Sequence, residues 1–192
     1  MKKTLFLSPP TFDGYDGGAG SRYQCKREVK SFWYPTWLAQ LSALVPDSKL
    51  IDAPAQDLSL DDLLPMANDY EFLVLYTSTP SFENDVKVAE AFKEKNPGLI
   101  IGFCGAHVAV NNEAAIQASS VIDFVCDSEF DFTIQEIAKG KPVEEVVGVT
   151  ILKDGKPHFT GKRPIIEDMD TLPWVTKIYK RDLDTKDYYN GY

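Results

Sequence analysis

The sequence predicts an α/β protein with a flavodoxin-like, doubly wound parallel sheet of five strands in the order 2-1-3-4-5. The first observation is that five short apolar runs alternate with five helix-like stretches along the chain. The second is that the runs at 72–76 and 99–103 are continuous rather than alternating, which is typical of strands buried on both faces. The third is that no apolar run approaches the length needed to span a bilayer.

The predicted elements follow one another in order along the chain. The strands cover residues 4–7, 49–53, 72–76, 99–104 and 121–126, and the helices cover residues 35–45, 60–64, 82–96, 112–118 and 131–139. Ser81 is the predicted N-cap of the third helix, and Gly140 is the predicted glycine after the fifth. Apolar residues of the first helix recur at helical spacing, so Trp37 is expected to pack inward, together with Trp33 and Tyr34. For Phe32 and Trp33, contact with a further domain is the alternative.

The pattern changes from residue 146 onward. Residues 147–152 and 157–160 predict a β-hairpin whose turn holds Asp154 and Gly155. The rest of the chain is polar and tyrosine-rich and has no periodicity of its own, so a linker is expected there. The predicted organisation is a ligand-binding domain at 1–145, followed by a hairpin and linker at 146–192 that lead to a further domain.

Composition and charge narrow the function classes. The formal net charge is −9, which disfavours a nucleic-acid partner because such a surface needs a basic face. Cys25, Cys104 and Cys126 are too widely spaced to predict a disulfide framework or a cysteine-ligated metal site, and the last two are expected to pack in the core. The apolar stretch at 4–7 is too short for a signal peptide. A cytoplasmic protein without a transmembrane segment is expected.

A general rule for open α/β sheets locates the candidate site. Ligands bind beyond the carboxyl ends of the strands, where the strand order reverses. The loops after predicted strands 1, 3, 4 and 5 meet this rule, and their small and hydroxyl-bearing residues suit a bulky, mostly neutral ligand rimmed by amides. The candidate ligand-binding residues are Ser8, Pro9, Pro10, Thr77, Ser78, Thr79, Gly105, Ala106, His107, Ser128 and Glu129.

Several well-known ligand sites need residues that this sequence lacks. A response regulator needs an acidic residue after strand 1 and an aspartate after strand 3, where Ser8 and Thr77 stand. A dinucleotide site needs Gly-x-Gly-x-x-Gly directly after strand 1, but Gly18-Ala19-Gly20 comes about ten residues too late. The Gly-Lys-Ser/Thr of a phosphate-binding loop is missing. Pro9 and Pro10 weaken a flavin mononucleotide site without excluding it.

Five short motifs occur in a fixed order along the chain. They are Ser8-Pro9-Pro10, Tyr34-Pro35-Thr36-Trp37-Leu38-Ala39, Gly105-Ala106-His107, Asp127-Ser128-Glu129-Phe130 and Asp168-Met169-Asp170-Thr171-Leu172-Pro173. In this order they resemble the PP loop, P-x-G-L-x-x-L-A helix, G-G-x-H, G-E-G-E and D-L-D-x-L-P stretches of B12-binding radical-SAM enzymes. Residues 13–24, 78–82 and 179–183 further resemble the members associated with hopanoid biosynthesis.

The resemblance implies that the chain is the cobalamin-binding front half of a radical-SAM enzyme that modifies a hopanoid head group, for example by forming a cyclitol ether. Asp13 is followed by Gly14 with no histidine nearby, so cobalamin is expected to bind base-off without a protein imidazole on cobalt. S-adenosylmethionine and a [4Fe–4S] cluster are expected only in a radical-SAM domain C-terminal to this chain, because the C-x-x-x-C-x-x-C motif is missing. The chain alone is therefore expected to be inactive. Binding of flavin mononucleotide or a nucleotide, and docking without a ligand, stay open as alternatives.

Several candidate residues also have simple structural roles. Glu129 is expected to cap the following helix rather than bond a ligand amide, and His107 is expected to be a hydrogen-bonded structural histidine. Gly105 is expected to let a ligand approach the backbone. The hydroxyls at 77–79 either contact the ligand or satisfy the turn, and the glycine-rich run at 14–20 is either a flap over the corrin or a surface loop.

Overall fold

A computed structural model of the chain describes residues 1–10, 15–16, 24–25, 31 and 33–188. Its strands are β1 (Thr4–Ser8), β2 (Tyr15–Asp16), β3 (Gln24–Cys25), β4 (Ser48–Asp52), β5 (Phe72–Tyr76), β6 (Ile100–Cys104), β7 (Phe124–Cys126), β8 (Val149–Lys153) and β9 (Lys156–Phe159). Its α-helices are α1 (Thr36–Leu44), α2 (Leu60–Leu63), α3 (Phe82–Lys95), α4 (Ala106–Val110), α5 (Asn112–Gln117), α6 (Asp131–Ala138) and α7 (Thr176–Asp182). The main sheet has seven strands in the order β4-β1-β5-β6-β7-β8-β9, and β2 and β3 form a separate antiparallel pair.

The five parallel strands stand in the predicted arrangement. Strands β4, β1, β5, β6 and β7 are parallel neighbours, which in chain order is 2-1-3-4-5. The prediction of a five-stranded sheet is wrong in strand number, because the C-terminal hairpin adds two antiparallel strands. Strand β8 pairs with β7 through Thr150 and Val125, and β9 pairs with β8. The hairpin thereby covers an edge whose N–H and C=O groups would otherwise lack partners.

Helices cover both faces of the sheet and enclose two apolar clusters. Leu5 and Leu7 of β1 pack with α2, α3 and α5, whereas Phe6 packs with α1, α6 and α7. This alternation follows from the two-residue period of a strand. Every residue of β1 is buried, which explains why the sequence shows a continuous apolar run there.

The longest helix, α3, carries the clearest sequence signals. Val86, Ala89 and Phe92 recur at helical spacing and are buried. The helix stops before Asn96, whose side-chain amide donates at 3.0 Å to two carbonyl oxygens of the segment before β5. Within the described residues, no helix is long and apolar enough to cross a membrane.

The expected packing of the tryptophans at the start of α1 is wrong. Trp33 is 64% exposed and Trp37 is 55% exposed. The face of α1 that meets the sheet holds Leu38 and Leu41, and Trp37 lies about 100° around the helix from Leu38. Tyr34 does pack, because its ring stacks between two tyrosines of the C-terminal segment, described below.

Two helices escape the sequence analysis. Helix α4 directly follows Gly105, and α7 lies in the stretch expected to be a linker. Both helices are shorter than two full turns, so their sequences are too short to show a helical repeat of apolar residues. Ile178 of α7 is nevertheless buried against the same cluster as α1. Between β9 and α7 the described chain is irregular apart from a short 3₁₀ turn, Met169–Thr171.

Candidate functional site

The candidate site is the edge of the sheet where the parallel strands end. Because β1 and β5 are neighbours and their chain connections run to opposite sides, the strand order reverses between them. The loops after β1, β5, β6 and β7 therefore lie next to one another. Ser8, Pro9 and Pro10 are buried below this edge, whereas Thr79, Ala106 and Ser128 are exposed on it. The loops after β5 and β6 make direct contact, at Thr77 and Gly105.

The loop after β5 is organised around a buried carboxylate, Asp85 of α3. Its Oδ2 atom accepts hydrogen bonds from the Thr77 hydroxyl at 2.6 Å and the Ser81 hydroxyl at 2.8 Å. The Ser81 Oγ atom lies 2.8 Å from the Ser78 Oγ atom and accepts from the Ser78 backbone N–H at 3.2 Å. Ser81 stands at the N-cap position of α3 as predicted, but its side chain makes no capping hydrogen bond to the helix. The side chain instead links the loop to Asp85.

Asp85 has an unusual environment for a carboxyl group. Its side chain is fully buried, and burial raises its pKa to about 7, against the lowering effect of the Thr77 and Ser81 hydroxyls. Its second oxygen, Oδ1, is buried and has no hydrogen-bond partner among the described residues. The carboxyl group is therefore costly to bury when ionised, which indicates a role beyond packing.

Gly105 joins the loops after β5 and β6. Its φ angle of 116° is one that side-chain-bearing residues rarely adopt, and a Cβ atom there would overlap the backbone oxygen of Thr77. Thr77 also donates its backbone N–H to the Cys104 carbonyl at 2.9 Å. The missing side chain at Gly105 thus makes room for Thr77, so that the β5 loop and the start of α4 meet at one place on the edge.

His107 is held in place by this same loop. Its Nδ1 atom lies 3.2 Å from the Thr79 hydroxyl, and its ring packs on Phe82 with centroids 4.4 Å apart. Burial lowers the pKa of His107, which favours the neutral imidazole. A hydrogen-bonded, neutral ring agrees with the structural role expected from the sequence.

The loop after β1 is tied to the same helix. Asn84 of α3 donates its side-chain N–H to the backbone oxygen of Pro10 at 2.9 Å. The loops that follow the two strands at the reversal point are therefore both bonded to α3: Asn84 binds the loop after β1, and Asp85 binds the loop after β5. The predicted flap at 14–20 lies outside the described residues except for its β2 backbone.

Ser128 and Glu129 lie after β7, at the far end of the edge. Ser128 donates to the Asp127 carboxylate at 3.4 Å. The expectation that Glu129 caps α6 is wrong, since Glu129 instead accepts the backbone N–H of Ile166 at 3.0 Å. The irregular stretch after β9 runs along α6, where Arg163 donates hydrogen bonds to Thr133 and Glu136.

A second buried carboxyl group, Asp52, ends strand β4 beside β1. It accepts the Tyr188 hydroxyl at 2.7 Å, and burial raises its pKa to about 6, while the hydrogen bond from Tyr188 lowers it. Tyr34 stacks on Tyr188 at 4.3 Å and on Tyr179 at 4.5 Å, measured between ring centroids. The C-terminal segment is therefore anchored next to the same edge.

Asp182 fixes this segment to the outer border of β4. It accepts hydrogen bonds from the Leu50 backbone N–H at 2.9 Å and from Lys49 at 3.0 Å, and Arg181 also bonds it. The Gln56 side chain accepts the next outward N–H, from Asp52, at 3.0 Å. Side chains thus occupy both of these outward backbone donors of the edge strand.

The sequence analysis misses both buried carboxyl groups, although each leaves a signal. Asp85 falls on the apolar face of α3, between Phe82 and Val86, where an acidic residue is out of place. Asp52 ends a buried strand at the edge that the general rule selects, but the predicted site contains only the loops after the other four parallel strands.

The charge of the edge also narrows the ligand class. Residues 8–10, 77–81, 105–108 and 127–130 contain no lysine or arginine, and they include Asp127 and Glu129. Among the described residues, no group of three or more histidine, cysteine, aspartate or glutamate side chains could hold a metal ion. Hydroxyls and neutral backbone therefore dominate the edge, which suits a neutral polar ligand better than a phosphate-rich one.

Comparison with known proteins adds relatives of this fold. No family model matches the chain. The uncharacterized methyltransferase PH0819 of Pyrococcus horikoshii is 28% identical over an alignment of 182 residues, and the match covers 90% of this chain and 38% of that protein. The chain thus spans less than half the length of this curated relative.

Two solved structures have a similar fold, and both are of the radical S-adenosylmethionine methyltransferase TsrM from Kitasatospora setae. The structure with cobalamin and a [4Fe–4S] cluster bound has a TM-score of 0.62 over 90% of this chain and 31% of its own. The structure with tryptophan and a S-adenosylmethionine analogue bound has a TM-score of 0.60 over 83% of this chain and 30% of its own. The sequence identity is 9% in both cases, so the likeness is one of fold.

Proposed function

We propose that this chain binds cobalamin at the carboxyl edge of its parallel strands, as part of a larger radical-SAM enzyme. The observation that carries the proposal is the contact between the loops after β5 and β6, next to the point where the strand order reverses. Gly105 packs against the Thr77 backbone, and His107 lies within hydrogen-bond distance of the Thr79 hydroxyl. The fold likeness to a cobalamin-bound TsrM structure supports it, as does the similarity to a curated methyltransferase.

The residues at this edge fit a corrinoid in their chemistry. Cobalamin is rimmed by primary amides, and the exposed or half-buried hydroxyls of Ser78, Thr79 and Ser128 can form hydrogen bonds with amides. Ala106 and Gly105 leave the edge flat between these hydroxyls. Cobalamin, when bound, supplies the organometallic chemistry, while this chain holds and orients it. Binding base-off without a protein imidazole belongs to the same proposal.

The substrate and the second half of the enzyme form a further part of the proposal. A hopanoid head group rests on the sequence resemblance alone, whereas the similarity to TsrM and PH0819 supports methyl transfer as the reaction class. S-adenosylmethionine and the [4Fe–4S] cluster belong, in this proposal, to a radical-SAM domain C-terminal to residue 192, in a cytoplasmic protein.

A titration with hydroxocobalamin tests the binding proposal. We expect a saturable change in the visible spectrum to a base-off form and a rise in melting temperature, since a ligand at a hundredfold excess over its Kd stabilises the folded state by about 2.7 kcal/mol. Flavin mononucleotide and AMP serve as rival ligands. Stabilisation by either of them but not by hydroxocobalamin would replace the proposal, and stabilisation by none would indicate a docking domain.

A pair of glycine substitutions links binding to this edge. Gly105→Ala forces Thr77 away, so we expect affinity for hydroxocobalamin to fall by roughly tenfold or more. Gly155→Ala is the matched control, because Gly155 also has a positive φ, of 75°, but open space around its Cβ position in the distant hairpin turn. Equal affinities in the two variants would place the ligand elsewhere.

A further inference from the structure

We infer that Asp85 is a positioning residue that fixes the Ser78 hydroxyl as a hydrogen-bond acceptor at the sheet edge, so that the site selects an amide N–H there over a carboxylate. The inference rests on the proposed function for the identity of the ligand. Its structural basis is the chain of hydrogen bonds that runs from Asp85 through Ser81 to Ser78.

The first step concerns the protons of Thr77 and Ser81. Each hydroxyl has a single proton to donate. For Thr77 the nearest acceptor is Asp85 Oδ2 at 2.6 Å, and the alternative is the Ser78 backbone oxygen at 3.5 Å. For Ser81, Asp85 Oδ2 and Ser78 Oγ are equally near at 2.8 Å, and the Ser78 backbone oxygen lies at 3.3 Å, so the charge of the carboxylate decides between them. An ionised carboxylate also forms the stronger bond, so both protons point at Asp85.

The second step follows for Ser78. Ser81 has given its proton to Asp85, so the 2.8 Å contact between the two serine hydroxyls requires Ser78 to donate and Ser81 to accept. Ser81 then accepts both the hydroxyl and the backbone N–H of Ser78, which uses its two lone pairs. The only hydroxyl proton of Ser78 points inward, and its lone pairs remain for a ligand.

The third step gives the selectivity. Ser78 is half-buried at the reversal point of the sheet, where a ligand can reach it. A primary amide can donate an N–H to the Ser78 lone pairs, whereas a carboxylate brings only further lone pairs and is repelled. A single hydrogen bond made or lost in this way changes affinity by about tenfold.

Asp85→Asn should reverse the donor and acceptor roles in the series of hydrogen bonds from residue 85 through Ser81 to Ser78, while the side chains keep their positions. If the amide nitrogen takes the place of Oδ2, its two protons match the two hydroxyl oxygens of Thr77 and Ser81. The amide oxygen then takes the place of Oδ1, which has no partner in the part of the chain that the structure describes. Ser81 donates to Ser78, and Ser78 donates outward. The opposite amide orientation would bury two unpaired N–H donors instead, which is the costlier choice.

The experiment compares two corrinoids at pH 8.5, above the pKa of Asp85, which is about 7. The probes are hydroxocobalamin, which carries peripheral amides, and cobyrinic acid, which carries carboxylates in their place. We expect Asp85→Asn to lower the ratio of the two affinities by about tenfold. Glu83→Gln removes one exposed negative charge from the same helix and is the matched control for charge. An equal effect of both substitutions would overturn the inference.

Ser81→Ala tests the connection between the two groups. In a Ser81→Ala background Asp85 and Ser78 are no longer linked, so Asp85→Asn should leave the affinity ratio unchanged. A tenfold effect that persists in this background would mean that Asp85 acts by another route, and the inference would fail.

A measurement without any ligand separates this inference from the proposed function. In a carbon NMR titration of the free chain, the Ser78 Cβ resonance should follow the Asp85 carboxyl resonance, and Ser81→Ala should abolish this coupling. His107, the titratable ring on the adjoining helix α4, is followed in the same titration to separate its contribution. If hydroxocobalamin fails to bind but the two resonances titrate together, the proposed function fails, and the inferred direction of the hydrogen bonds from Ser78 to Asp85 is supported. If they titrate independently, that direction is refuted.

Discussion

At the scale of single residues, the buried carboxyl groups have the largest effect on how the protein responds to pH. Asp85 and Asp52 are both buried, and burial raises their pKa values to about 7 and about 6. An aspartate ordinarily titrates near 3.8. Because the pKa values are higher in the folded state, the folded chain binds more protons than the unfolded chain between pH 3.8 and about pH 7. The stability that results is full below pH 3.8 and is lost as the pH rises through 6 and 7.

We therefore predict that the free energy of unfolding decreases as the pH rises from about 4 to 8. The Asp85 contribution to this decrease is on the order of 4 kcal/mol, since each pKa unit corresponds to about 1.4 kcal/mol. Asp85→Asn should remove that part, and urea unfolding at several pH values measures it. The exposed Glu83→Gln serves as control and should keep the wild-type profile. A profile for Asp85→Asn as steep as that of the wild type would contradict the assignment.

At the scale of elements, the clearest dependence is that of α7 on β4. Burial alone would raise the pKa of Asp182, but hydrogen bonds from Arg181 and the Leu50 N–H, together with Lys49, lower it overall. The ionised form is therefore the one that holds the helix to the strand. Asp182 also stands on a helix of only seven residues, which could not persist without such contacts.

We predict that Asp182→Ala lowers the free energy of unfolding by about 1–3 kcal/mol, because the buried Leu50 N–H loses its acceptor. Asp170→Ala is the control, since Asp170 is an exposed carboxylate on the preceding 3₁₀ turn and its removal changes the net charge equally. Thermal unfolding compares the two. A loss of stability in both variants to the same extent would mean that charge, not the bond to β4, is responsible.

At the scale of the whole molecule, the arrangement of buried strands and exposed segments predicts which parts of the chain unfold locally most often. Strands β1, β5 and β6 are hydrogen-bonded on both sides and covered on both faces, whereas residues 161–171 are mostly exposed. We predict that backbone amides of these three strands exchange with deuterium roughly a thousandfold more slowly than those of 161–171. Hydrogen-exchange mass spectrometry measures this directly. Comparable rates would show that the irregular stretch is held as firmly as the core.

The same scale explains what could be predicted from the sequence. The parallel strands and their order were readable because runs such as that of β5 are apolar without interruption, which requires cover on both faces. The edge with Thr77 and Gly105 followed from that order. The contact between Asp52 and Tyr188 was not readable, because it joins residues separated by 136 positions and depends on side-chain placement. The prediction that Trp37 packs inward is wrong because its apolar side chain suggests burial, whereas its position around helix α1 places it on the exposed side.

The side chains that occupy the outer border of β4 have a consequence for how copies of this protein meet. An open strand border is a template on which an extended peptide, or the same border of another copy, can be added. Here the outward N–H groups of Leu50 and Asp52 are already taken by Asp182 and Gln56. Asp182 of the C-terminal segment and Gln56 of the loop after β4 therefore hinder the addition of another strand to this border. Loss of the C-terminal segment would leave the Leu50 N–H open to an extended strand of another chain.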